Sequence, residues 1–148
     1  MIKLQQLTAY VLNLNLVAAE QIDSWVENPQ IVPSGKSMGQ GTVVLYRQTY
    51  DAVIYIERFN HQKHPVEQLF GCVAAWLIQN DEDRDEIATP RTDVEILDDS
   101  LADIEISISF EEDVIAVLDP AGPIEFGGDR YRLAGPIINY AEEGDLRT

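Results

Sequence analysis

Asp103-Ile104-Glu105-Ile106-Ser107-Ile108-Ser109-Phe110 decides how the rest of the chain folds. Apolar and polar residues alternate through it without a fault. Such a period of two marks a strand with one face buried and one wet. A slip of one residue would turn all four apolar side chains into water, so this strand fixes the register of its neighbours. Its apolar face needs a cover, and the chain supplies one in Val66–Asn80. There Val66, Leu69, Phe70, Val73, Trp76, Leu77 and Ile78 recur at helical spacing with small Gly71, Ala74 and Ala75 between them. A helix so apolar is covered on most sides. Five such side chains on a sheet contribute about 10 kcal/mol by area, an upper bound because unfolded chains already bury some surface.

Outward from this pair the elements alternate. Ile2–Asn15 spaces Leu4, Leu7, Val11 and Leu14 as a core-facing helix. Val17–Asn28 suits either a helix or a strand, and Asn28-Pro29 is expected to end it. Gln30–Gly41, with Pro33, Ser34, Gly35, Ser37, Gly39 and Gly41, reads as a mobile loop. Thr42–Phe59 is rich in Val, Ile, Tyr and Thr, and is one long bent strand or two joined near Tyr50-Asp51. Asn60–Pro65 is a loop, with Pro65 suited to a first helical turn. Asp81–Arg91 is an acidic linker, and Asp93–Leu97 a short strand pairing with the Ile104 strand across Asp98-Asp99-Ser100. After Phe110, a turn or bulge at Glu111-Glu112-Asp113 leads to a strand from Val114 to Leu118. In the Pro- and Gly-rich remainder, Ile124–Phe126 and Tyr131–Leu133 form a hairpin across Gly127-Gly128-Asp129. The class is α+β, a largely antiparallel sheet with two helices on one face. One core domain, 1–118, carries a C-terminal arm, 119–148.

Within 148 residues, 45% are hydrophobic, enough for a folded core. The lone cysteine, Cys72, excludes an internal disulfide and a cysteine-rich zinc site and fits a reducing compartment. No signal peptide or membrane-length apolar run is visible. The net charge of −16 lies entirely in residues 65–148, since residues 1–64 hold five basic and five acidic side chains. That surface repels phosphate backbones and anionic lipids, and suits a basic partner or a wall past which DNA slides.

The residues give no active site. Gly35-Lys36-Ser37 matches the tail of a phosphate-binding loop, but Gln30 occupies the place of its first glycine and the next segment is β-rich. His61, His64 and Glu67 have metal-ligand spacing, yet they precede or begin a helix beside Lys63. The acidic run from Asp81 has Glu86 and Thr92 where a calcium loop needs glycine and glutamate. Glu105 and Glu111 are a carboxylate pair without a second catalytic feature, and Cys72 and Trp76 belong to the core. No catalytic residue, cofactor or metal is expected.

Ala75-Trp76-Leu77-Ile78-Gln79-Asn80 closing a helix, followed after an acidic loop by Asp103–Phe110 and Glu111-Glu112-Asp113-Val114-Ile115-Ala116-Val117, resembles the tail completion protein R family of contractile-tailed temperate phages. The resemblance implies a fold like that of tail terminators and a structural virion role at the head-proximal end of the tail, capping the tube and helping to join tail to head. It implies synthesis in the bacterial cytoplasm, tail tube and neck proteins as partners, and a ring, by analogy of six subunits, through which DNA passes without specific binding. Ser34, Gly35, Lys36, Ser37 and Gly39, the acidic Glu82, Asp83, Asp85 and Glu86, and Phe126 and Tyr131 of the arm are the candidate partner contacts. The loop Pro33–Gly41 and the arm are candidates to order on assembly. The alternative is an acidic DNA mimic or adaptor that binds a basic partner.

Overall fold

The computed structural model describes residues 1–81, 84 and 89–134. In chain order these form α1 (Ile2–Asn13), a 3-10 turn (Ala19–Gln21), β1 (Ile22–Gly39), β2 (Thr42–Asn60), α2 (Val66–Asn80), β3 (Arg91–Ile96), β4 (Leu101–Leu118), β5 (Ile124–Phe126) and β6 (Asp129–Leu133). The sheet runs β1-β2-β4-β6-β5, with β3 also paired to β4. The β3–β4, β4–β6 and β5–β6 pairs are antiparallel. Side-chain bonds from Ser109 to Asp51 and from the Arg58 amide to Asp103 run in opposite order along β2 and β4, so these strands are antiparallel too. The architecture is the expected α+β.

The chain divides into two compact units. The first comprises Met1–Pro29 and Tyr50–Phe110 and holds the main core. Ile104, Ile106, Ile108 and Phe110 all lie inward at 1% exposure or less. Ala52, Ile54, Ile56 and Phe59 of β2 join them, covered by Leu4, Leu7 and Val11 of α1 and Leu69, Val73, Trp76 and Leu77 of α2. The Trp76 ring meets Phe110 edge-on, with centroids 6.3 Å apart. Thus the alternating strand does lie beneath the tryptophan-bearing helix. α1 has no side-chain N-cap; instead the buried Tyr50 hydroxyl accepts the Leu4 amide proton at 3.2 Å, satisfying one donor that a helix start leaves open. Ile78, expected with the apolar set, faces solvent at 75% exposure. Asp81, expected in a solvated linker, is buried at the end of α2. Lys3 of α1 reaches its Oδ1 at 2.7 Å and Arg84 its Oδ2 at 2.5 Å, and both cations lie over the Phe110 ring.

The second unit comprises Gln30–Thr49 and Glu111–Thr148. Three expectations are corrected here and at its borders. The stretch read as a mobile loop, with candidates Ser34, Gly35, Lys36, Ser37 and Gly39, is strand: β1 continues past Asn28-Pro29 to Gly39. Proline removes a ladder donor, which an outermost strand tolerates, and β1 is outermost. Thr42–Asn60 is a single strand, the first of the two readings open for it. Leu101–Leu118 is also a single strand, with no turn at Glu111–Asp113. There Glu112 keeps the inward parity of the isoleucines and remains buried, accepting a hydrogen bond from Gln48 Nε2 at 3.2 Å. The 124–126 and 131–133 hairpin forms as expected, with Asp129 and Arg130 added to its second strand.

Candidate functional site

Two hairpins and the end of β4 shape the second unit. Gln40 and Gly41 both have positive φ, 53° and 74°, the backbone that a two-residue turn between twisted strands requires. Gly127-Gly128 closes the other hairpin in the same way. The Leu118 amide donates to the Gly41 carbonyl at 2.9 Å. β6 adds to β4 through Ala116↔Leu133 and Leu118↔Tyr131. The Phe126 ring lies against Gly35, so close that a Cβ there would stand 3.1 Å from the ring, and it packs on Tyr131 with centroids 6.0 Å apart. Phe126 thus sets β5 against β1 at Gly35.

Of the sequence candidates, Gly35, Phe126 and Tyr131 are brought together. Ser34 and Ser37 bend β1 locally: their hydroxyls accept the amide protons of Lys36 and Gly39 at 3.3 and 3.2 Å. Lys36 and Gly39 lie exposed on the same strand. Glu82, Asp83, Asp85 and Glu86 lie outside the described residues. The structure adds exposed apolar residues that are not among those candidates. Ile31, Val32 and Met38 of β1, Leu118 of β4 and Leu133 of β6 are all exposed, as is Phe126. For the three in β1 the signal is apolar residues inside a Pro/Gly/Ser stretch, to which a loop reading gives no face.

Among the described residues of this unit charge is largely engaged. The Arg47 guanidinium donates from Nε to Glu111 and from Nη1 to Asp113, both at 2.9 Å, and the hydrogen bond to Glu111 does most to push its pKa above the ordinary value. Glu111 is thus an ion-pair member, and Glu105 is an exposed β4 residue of the other unit. Apolar side chains on open strands can dock against protein, and a strand edge can accept another strand. Elsewhere, His61 Nε2 lies 3.2 Å from the Asp98 carbonyl. Among the described residues no three His, Cys, Asp or Glu side chains gather as a metal site. No helix among them is long and apolar enough to cross a membrane.

The family model for P2 phage tail completion protein R (GpR) matches residues 1–135. A 19.2 kDa protein from the rep-hol intergenic region of Haemophilus phage HP1 (strain HP1c1) is 27% identical over 145 residues, covering 96% of this chain and 87% of the relative. No solved structure matches the chain.

Proposed function

The chain belongs to the P2 phage tail completion protein R family, a family of structural phage tail proteins, and from that premise we propose that it caps the finished tube at its head-proximal end and helps join tail to head. The observation that carries this reading is the family match across residues 1–135. The geometry supports it. The second unit displays Ile31, Val32, Met38, Leu118, Phe126 and Leu133 to solvent, and the first displays Ile78, Ile96 and Leu97 outside its buried core. Surfaces of that kind mark contact sites. Tail tube and neck proteins are the partners. Subunits joined head to tail close into a ring, six by analogy with tail terminators. The acidic residues toward the C-terminal half, Glu82, Asp83, Asp85 and Glu86 among them, border the DNA channel and keep the genome from sticking.

The test is complementation of a phage lacking this gene with wild type or with Met38→Asp/Phe126→Asp, followed by electron microscopy. Wild type restores joined virions; the variant leaves separate full heads and tails of uncontrolled length, although the purified protein folds. Normal virions from the variant would remove Met38 and Phe126 from the contact surface, and joined particles in the absence of the gene would refute the role. The charge of −16 favours one second reading, an adaptor for a basic protein. Retention of a basic host protein from uninfected lysate, with tails completed normally without the gene, would support that instead.

A further inference from the structure

Within the first unit, the segment after α1, the end of β2 and the start of β4 border an open cleft of about 500 Å³. Leu16, Val17 and Leu101 give it apolar walls; Arg58, Lys63 and Asn60 give it donors. We propose that this cleft binds a carboxylate presented by a polypeptide segment with an apolar residue beside it.

The argument begins with charge. In a chain of 26 carboxylates and ten Lys/Arg, a cation ordinarily finds an acid. Lys3, Arg47, Arg84, Arg130 and Arg132 do so. Among the described residues Lys36, Arg58, Lys63 and Arg91 form no ion pair, and of these Arg58 and Lys63 line this cleft together. Asp103, which meets the backbone of Arg58, is already engaged: it accepts the Arg58 amide proton at 3.0 Å and the Tyr55 hydroxyl.

The backbone beneath the two cations is fixed. Arg58 has a left-handed φ of 51°, and the Gln21 Nε2 group donates to the carbonyls of Glu57 and Arg58 at 2.8 and 3.1 Å. The Asn60 side-chain oxygen accepts the amide protons of Gln62 and Lys63 at 3.1 and 2.9 Å. Its NH₂ group is left with no acceptor among the described residues.

Guanidinium, ammonium and amide together suit one oxyanion, and charge-assisted bonds of this type are the strong ones. A peptide carboxylate fits better than a phosphate. The lining includes apolar walls but no aromatic ring for a base, and the chain's net charge opposes a polyanion far more than a single carboxylate. The inference stands independently of the role at the tail end.

Two-dimensional amide NMR of the whole chain tests it, with N-acetyl-Leu-Leu-Glu as probe. Amides of 15–18, 58–63 and 101 are expected to shift. Arg58→Gln and Lys63→Gln should each weaken binding about tenfold, the scale of one charge-assisted bond, while Arg91→Gln leaves it unchanged. Both cleft residues are exposed, so the rest of the spectrum doubles as the control for folding. Equal binding of the uncharged Gln-amide version would overturn the proposal. So would equal shifts from inorganic phosphate or a short DNA duplex, shifts surviving in the Arg58→Gln/Lys63→Gln double variant, or no shifts with the probe.

Discussion

At Gly122 the turn between β4 and β5 has no room for a side chain. A Cβ there would sit 2.1 Å from the Tyr131 carbonyl oxygen, which is held in the β5–β6 pair and cannot retreat. Gly122→Ala should therefore cost about 1–3 kcal/mol, the usual penalty of overpacking, read as a fall in thermal midpoint; an unchanged midpoint would mean that the turn re-forms elsewhere. A second residue-scale effect is electrostatic. Asp51 accepts the Ser109 hydroxyl at 2.7 Å and the Asn28 amide at 3.0 Å, with the Ser109 bond the larger cause holding its pKa below the ordinary 3.8. A depressed carboxylate contributes stability above its unfolded pKa and loses it as pH falls through the folded value. Ser109→Ala should thus be less stable than wild type at neutral pH, with the gap narrowing below about pH 4. Urea titrations at several pH values measure this, and a gap that widens in acid would contradict it. Neither contact is legible in sequence, because Asp51–Ser109 needs two strands in register and Gly122 is one of several glycines in a turn-rich segment.

Among the elements, β4 and α2 were legible because their signals are local: a period of two and a helical stripe, each complete within its own segment. Ile106 and Ile78 belong to those two patterns, yet one is 1% exposed and the other 75%. Ile106→Ala should cost about 2–5 kcal/mol as a buried cavity, whereas Ile78→Ala should stay within about 0.5 kcal/mol. Chemical denaturation of the pair separates pattern from burial, and equal losses would place Ile78 in the core. β1 was illegible for a corresponding reason. Pro29, Pro33 and Gly35 are loop residues by propensity, and only a place at the sheet margin, with φ of 75° at Gly35, lets them serve in a strand. The break expected at Glu111–Asp113 failed likewise: three acids in a row look like a turn, but Arg47 holds the outer two and Gln48 the inner one. Asp81 reads as linker until Lys3, far away in sequence, is known to meet it.

For the molecule as a whole, 26 acids against ten bases make self-repulsion the dominant long-range force. Raising salt from about 0.02 M to about 0.5 M shortens the screening length from roughly 20 Å to roughly 4 Å, so the thermal midpoint should rise by several degrees. A falling midpoint would show that local pairs such as Arg47 with Glu111 outweigh the global field. The same excess opposes association of copies through the exposed apolar side chains that both units carry.

β1 as an outermost strand has one last consequence. Naked strand margins are templates for cross-β growth, and a margin rich in isoleucine and valine would invite fibrils at the concentrations of a productive infection. Pro29 and Pro33 withhold two amide protons from any copy that settles alongside, while the kinks at Asn28 and Gly35 spoil the flatness that stacking demands. The residues that disguise this strand as a loop are thus the ones that guard it against runaway polymerisation.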